Sequence, residues 1–335
     1  MAQASAVQPQ NRPDGAIRTA VVLLNLGGPD SLDAVEPFLF NLFSDPDIFR
    51  VPLARLTQKP FARMASRRRA PEATRAYAAI GGKSPLLENT QAQAVALKHA
   101  LAPHGSFDVF PCMRYWHPRA DAVVAALKRS GYARVVLLPL YPQYSGTTTG
   151  SSVNDFMRAC ERERYRPEIR TVRQWFETPA YLEGIRATIR AAATRFPNPD
   201  PAHIELLFSA HGLPKKIVAA GDPYEEQIRA TYLAVRNLLG FPHATLCYQS
   251  RVGPLEWLRP YVEDVIREKA AAGCQQMLVY PIAFVSDHSE TLYELGIQYR
   301  DLARSCGIAH YEVVPALNAH PLLIQALAQL VLRHA

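Results

Sequence analysis

Apolar residues in this chain come in short runs that stop at glycine or proline. Val21 to Leu26 ends at Gly27-Gly28-Pro29, which reads as a buried strand feeding a turn. Further runs predict strands at Phe107–Pro111, Arg134–Leu140, Ile204–Ser209, Ala244–Tyr248, Gln276–Tyr280 and 309–314. Helices are expected between them, at about Ser31–Phe43, 71–79, 88–102, 119–130 and from Ser152. Others are expected near Pro179, from Tyr224, at 255–272, from Glu290, and at 319–334. Strand and helix in alternation is the mark of an α/β fold with parallel sheets. Residues 44–62 break the pattern: Pro46, Pro52 and Pro60 lie among Ile48, Phe49, Val51, Leu53, Leu56 and Phe61. This segment is expected to be irregular, as a surface lip, a pocket wall, a membrane contact or local core.

The pattern repeats. Pairing Gly28 with Gly212, Pro118 with Pro254 and Pro139 with Pro281 gives spacings of 90 and 21 residues in the first half, and 42 and 27 in the second. The first half therefore carries a long insertion after its first strand. The expected architecture is two similar Rossmann-like halves, each with a parallel sheet flanked by helices, facing each other across a cleft. Such interfaces favour ligand pockets. The expected divisions are a disordered tail at 1–16, a first half at 17–160 with a lip insertion at about 44–87, a second half at 161–316, and a C-terminal helix at 317–335.

Composition narrows the class. Of 335 residues, 48% are hydrophobic and 20% charged, as in a soluble globular protein. No apolar run approaches the roughly 18 residues of a spanning helix, and residues 1–16 lack an export-signal pattern. The five cysteines form no C-x-x-C pair, which fits free thiols in the cytoplasm. The net charge is +7, and the stretch from Arg50 to Arg75 supplies eight basic residues against one acidic, Glu72. Such a segment could meet nucleic acid, an anionic membrane or an acidic small molecule, or could be only a solvated helix face. Phe61 is its one aromatic residue, too few for stacking on single strands, so no nucleic-acid partner is expected.

Candidate chemistry gathers at strand ends. His211 closes the run Leu206-Leu207-Phe208-Ser209-Ala210, at the carboxyl end of a strand, where open α/β folds bind ligands. Histidine can bind a metal and trade a proton near neutral pH. Glu290 and Glu294 are four apart on one helix face. Two adjacent carboxylates want a proton or a cation, and His288 stands just upstream; this donor set suits Fe²⁺, Zn²⁺ or Mn²⁺. Against that, Asp287-x-x-Glu290 also fits a capping box. Arg114 with Tyr115, and Ser250 with Arg251, follow the second strand of each half; either arginine could clamp a carboxylate or serve a structural ion pair. Trp257 and Tyr293 could be core. Gly27-Gly28 falls short of a dinucleotide fingerprint, and neither G-x-S-x-G nor a phosphate loop occurs.

The chain resembles the ferrochelatases. The resemblance rests on Asn25-Leu26-Gly27-Gly28-Pro29, Ile80-Gly81-Gly82-Lys83-Ser84-Pro85-Leu86, Met113-Arg114-Tyr115 and Pro142-Gln143-Tyr144-Ser145. In the second half it rests on Ser209-Ala210-His211-Gly212-Leu213-Pro214, Gly221-Asp222-Pro223-Tyr224, Gln249-Ser250-Arg251-Val252-Gly253-Pro254, and the stretch from Ser286 to Leu295. It implies a porphyrin in the cleft and insertion of Fe²⁺ to make haem, with protoporphyrin IX the expected substrate. His211 and Glu290 would be the catalytic and metal-binding pair, supported by His288 and Glu294 as acid–base groups or proton path. Arg114, Tyr115, Phe49, Ser145 and Trp257 would line the porphyrin. The alternatives are a porphyrin or haem carrier on the same scaffold, and a cobalt or nickel tetrapyrrole chelatase. Gly296 stands where the family often has Asp. No cysteine follows Cys306, so no [2Fe–2S] cluster and no cofactor beyond substrate iron is expected. The expected setting is cytoplasmic, with peripheral membrane contact through the lip at 44–62.

Overall fold

The computed structural model describes residues 18–49 and 53–335; the expected tail, and Arg50, Val51 and Pro52 of the lip, lie outside the described residues. In the first half the order is β1 (Thr19–Asn25), α1 (Val35–Phe43), α2 (Ala54–Ala79), α3 (Leu86–Leu101), β2 (Phe107–Met113), α4 (Ala120–Arg129), β3 (Arg134–Pro139), α5 (Ser151–Glu163) and β4 (Glu168–Thr171). Then α6 (Pro179–Ala193) leads to β5 (Glu205–His211), α7 (Lys215–Ala219), α8 (Tyr224–Leu239), β6 (Ala244–Gln249), α9 (Val262–Ala271) and β7 (Gln276–Pro281). A π-helical segment at Glu290–Tyr299 precedes α10 (Arg300–Ser305), β8 (His310–Val313) and α11 (Pro321–His334).

The strands form two parallel four-stranded sheets, β2-β1-β3-β4 and β6-β5-β7-β8, as the alternation predicts. Both faces of each sheet are covered, which is why the central strands read as unbroken apolar runs. Val21 and Leu23 of β1 join Leu206, Phe208 and Ala210 of β5 in one core, filled by α3, α6, α8 and α11. Ala20, Val22 and Leu24 face the opposite way, onto α4 and α5. Leu207 of β5 and Met277 and Val279 of β7 pack on α9 and α10. The two halves thus share a core as well as a topology.

Several expectations need correcting. The segment at 44–62 is not irregular throughout: α2 starts at Ala54 and runs unbroken through Pro60 and Pro71. A proline inside a helix costs about 3 kcal/mol. That cost is offset by burial of Ala62 and Tyr77, with Phe61, Ala65 and Ala73 behind them, against α1. Residues 255–261 are not helical; Trp257 bridges back to Pro214, and the helix waits until Val262. β4, which no apolar run announced, is a half-exposed edge strand paired with β3. The first sheet therefore takes its last strand from beyond the expected boundary at residue 160.

The internal repeat also shifts. Leu24 pairs with Pro139 as Ser209 pairs with Pro281, which sets Gly27, not Gly28, opposite Gly212. Met113 N–H donates to the Pro118 carbonyl at 2.7 Å and Tyr248 N–H to Pro260 at 2.9 Å, so Pro118 corresponds to Pro260, not Pro254. Gly28 has a packing reason of its own: a Cβ there would lie 2.5 Å from Ser84 Cβ. Gly28→Ala should lower stability by about 1–3 kcal/mol in urea unfolding, and Ser84→Gly should recover part of that loss in the double variant.

Candidate active site

Three chain segments meet at the carboxyl end of the second sheet. β5 ends on His211 and β6 on Gln249, and the π segment that follows β7 opens with Glu290. The i→i+5 bonding of a π segment widens its turn and re-aims its side chains. His211 Nδ1 lies 2.8 Å from Glu290 Oε2, and that same oxygen accepts from Ser250 Oγ at 2.8 Å. Ser250 Oγ is also 2.5 Å from Glu294 Oε2, and the Ser250 N–H donates to Glu294 Oε1 at 2.9 Å. Ser250 holds a left-handed φ of 64°. That conformation costs a non-glycine residue about 1–2 kcal/mol, and it turns both donors of Ser250 toward Glu294.

Ser250 has one hydroxyl proton and two carboxylate oxygens within bonding distance. One O–H cannot fully serve both, and a second proton in the cluster would relieve the repulsion between the two carboxylates. Burial opposes charge on Glu290, but His211 and then His288 hold its carboxyl well below the usual range. Burial and the neighbouring Glu290 push Glu294 up. Of the two carboxyls, Glu294 is therefore the one that holds a proton more readily. Burial opposes charge on the His211 ring too, yet Glu290, and more remotely Glu294, raise its pKa above 6.5.

A second layer fixes these groups. Tyr224 O–H donates to the His211 carbonyl at 2.9 Å. His288 is buried, donates Nδ1–H to the Ser286 carbonyl at 3.2 Å, and leaves Nε2 3.8 Å from Glu290 Oε1. Its ring meets Phe284 edge-on, centroids 4.4 Å apart. Gln249 Nε2 donates to Glu294 Oε2 at 3.1 Å, and its Oε1 accepts from Ser209 Oγ at 2.6 Å. From Glu294 the chain of contacts runs outward through Tyr299 O–H, 3.2 Å away, to Glu263 Oε2 at 3.3 Å from the same hydroxyl. The capping-box reading of Glu290 fails: the Asp287 N–H donates to Asn318 Oδ1, and Glu290 faces His211.

Of the residues expected from sequence, the structure brings His211, Glu290, His288 and Glu294 together. Trp257 reaches the rim: it is buried with its ring over Gly212, where an added Cβ would meet it at 3.2 Å. Arg114 and Tyr115 do otherwise than expected. Arg114 is buried, pairing with Asp45 at 2.9 Å and Asp155 at 3.4 Å, while its Nε donates to Ser151. Tyr115 donates its hydroxyl to Asp45 at 2.6 Å, and burial raises its pKa well above the usual value. With the guanidinium enclosed by carboxylates, its donors are not offered to a propionate.

Ser145 is buried as well; its hydroxyl donates to Asp222 at 2.9 Å and tethers the two halves. Phe49 stacks with Phe43 and Phe61, centroids 5.2 and 5.9 Å away, beneath the insertion. Ser250, Gln249 and Tyr299 were missed as site residues. The Gln249-Ser250-Arg251 block marked a strand end, but the spacing of five from Glu294 to Tyr299 makes neighbours only on a π turn. Among the described residues no group of three or more His, Cys, Asp or Glu side chains converges on one metal position.

A sequence model of the ferrochelatase family matches residues 18–335. The chain belongs to this family. The ferrochelatase of Synechococcus sp. (strain JA-3-3Ab) is 48% identical over 322 residues, spanning 95% of this chain and 94% of that one. That of Geotalea uraniireducens (strain Rf4) is 46% identical over 315 residues, spanning 94% and 97%. Among solved structures, SirB from Bacillus subtilis with Fe³⁺ superposes with a TM-score of 0.56 at 10% identity, covering 95% of this chain and 96% of that one. CbiX, described as the terminal enzyme of sirohaem biosynthesis in denitrifying bacteria, gives 0.52 at 15% identity, covering 95% and 99%. At these identities the likeness is one of fold, and it matches the two parallel sheets of this ferrochelatase-family chain.

The coupled pair predicts a stability window. His211, raised in the folded state, stabilises fully below its unfolded value near 6.5 and loses that contribution as pH rises through the raised pKa. Glu290, lowered, contributes above about 4.5 and loses it as pH falls. Histidine NMR titration should place His211 above 6.5, and Glu290→Gln should move it down. An unmoved His211 would show that Glu290 does not set its charge.

Proposed function

We propose that this protein inserts Fe²⁺ into a porphyrin, most simply protoporphyrin IX, releasing two protons, in the closing step of haem synthesis. The observation that carries this is the clamp on His211. Glu290 engages Nδ1 at 2.8 Å, so Nε2 is the ring nitrogen left for substrate. The side chain is about one-third exposed (37%), at the end of its strand.

The reaction needs a base near the pyrrole N–H groups and a route for their protons. His211 as imidazole accepts a proton from a pyrrole nitrogen as the metal replaces it. Glu290 stabilises the imidazolium that forms. Ser250 and Glu294 lie next in line, with His288 holding the far oxygen of Glu290. His211 and Glu290 are also the donors a partly hydrated Fe²⁺ would meet on its way to four ring nitrogens. Positioned acid–base help of this kind is worth about 10²–10⁴ in rate.

His211→Ala should bind porphyrin normally and lose metal insertion by 10²-fold or more, read as the absorption change on anaerobic addition of Fe²⁺. Glu290→Gln should be impaired comparably. Wild-type protein that binds porphyrin without metallating it would be a carrier, and competition among Fe²⁺, Co²⁺ and Ni²⁺ separates the related chelatases.

The insertion suits peripheral contact with an anionic membrane. Leu53, Leu56 and Met64 are 76%, 75% and 66% exposed, interleaved with exposed Arg63, Arg67 and Arg68. No helix among the described residues is long and apolar enough to cross a bilayer. Replacing Leu53, Leu56 and Met64 by Gln should cut co-sedimentation with anionic vesicles severalfold; unchanged binding would place any contact elsewhere.

A further inference from the structure

A second cavity, of about 310 Å³, lies between the insertion and the first half, at the carboxyl end of β2. It is roughly ten times the ~30 Å³ share of a water molecule and falls at the lower end of ligand pockets. It shares no residue with the cluster of His211, Ser250, Glu290 and Glu294.

Its charges do not balance from within. Lys59, Arg114, Arg119 and Arg158 line it, against Asp45 and Asp155. Both carboxylates are committed to Arg114, at 2.9 and 3.4 Å, and Arg158 is paired with Asp47 at 2.7 Å. Lys59 and Arg119 are left, and among the described residues neither side chain has an ion-pair or hydrogen-bond partner. An unpaired guanidinium that meets an anion makes a short, strong bond.

The backbone adds to the imbalance. α4 has Arg119 as its N-cap residue, no side chain caps its first turn, and Asp121 in that turn faces Arg162. The positive end of a helix dipole therefore adds to the cations on this wall.

We propose that this cavity binds a small phosphate-class oxyanion, held by Lys59 of α2 and Arg119 at the start of α4. Two unpaired cations suit a doubly charged oxyanion better than a single carboxylate. Because Lys59 stands on the insertion and Arg119 beside the first sheet, the anion fastens one to the other. The same chemistry is available from free phosphate and from a lipid headgroup.

The test is calorimetric titration of the full chain with inorganic phosphate at low ionic strength, with acetate as the planar control. One saturable site is expected, preferred over acetate and weakened at least tenfold, about 1.4 kcal/mol, by Lys59→Ala and by Arg119→Gln. Phosphate should also raise the Tm of the wild-type protein and not of the variants. Saturable binding of inorganic phosphate assigns the site to a free anion. Binding to phosphatidylglycerol vesicles alone, lost in the same two variants, assigns it to a headgroup. No saturable binding of either, or binding undiminished in both variants, overturns the proposal. Lys59 is exposed on a helix, so Lys59→Ala decides the matter even where Arg119→Gln fails to fold.

Discussion

A carboxylate half-hidden from water stays ionised only where cations or donors face it, and Glu290 is the group on which this requirement falls hardest. One oxygen takes His211 at 2.8 Å and Ser250 at 2.8 Å, and the other faces His288 at 3.8 Å. Those partners come from β5, from the end of β6 and from the turn after β7. All three strands must end at the same level for the contacts to close. Parallel strands in register provide that, since Ser209 aligns with Cys247 on one side and Pro281 on the other. The site is thus a consequence of sheet register as much as of residue choice.

Rigidity comes from joining the halves. Asp222, in the loop after α7, accepts from Ser145 Oγ at 2.9 Å and from the Gly146 N–H at 2.8 Å, both in the first half. Two residues on, Tyr224 holds the His211 carbonyl. Gln93 of α3 bonds Ser286 and the Asn318 carbonyl at 2.9 and 2.8 Å, just ahead of His288. The insertion joins in through Tyr77, whose hydroxyl accepts from Ser289 Oγ at 3.4 Å; burial pushes the Tyr77 pKa up to about 12. Together with the shared apolar core, these contacts fix the elements that carry the histidine and the glutamate, as positioned acid–base chemistry demands.

Period and punctuation made much of this legible in advance. The strands that lead to His211, Gln249 and the π segment are buried on both faces, so their apolar runs stand out, and the residues of the candidate site follow the breaks. What escaped had weaker local signals. β4 is an edge strand with alternating exposure and only Ile169 to mark it. α2 contains two prolines that local rules read as breaks, and only packing against α1 keeps it whole. Arg114 looked like a clamp for a ligand carboxylate, because its partners Asp45 and Asp155 lie 69 and 41 residues away in sequence. Ser250 could not be foreseen as the bridge between two glutamates, since that role depends on a left-handed backbone at a residue other than glycine.

The internal repeat explains why Arg114 and Ser250 end up so differently employed. Met113 and Tyr248 are equivalent by register and by their hydrogen bonds to Pro118 and Pro260. Arg114-Tyr115 therefore occupies the place of Gln249-Ser250. In both halves these two residues reach the helix that follows the third strand: Arg114 and Tyr115 meet Ser151, and Gln249 and Ser250 meet Glu294. The crossing is a property of the fold, and the outcome depends on what stands at it. In the first half a buried Asp45 from the insertion completes an ion pair with Arg114, and removal of one partner of such a pair typically costs about 3–5 kcal/mol. In the second half a short hydroxyl leaves room beside two carboxylates, and a proton can move where a guanidinium would have fixed the charge. One architectural position has become a structural anchor in the first half and a bridge between two carboxyl groups in the second.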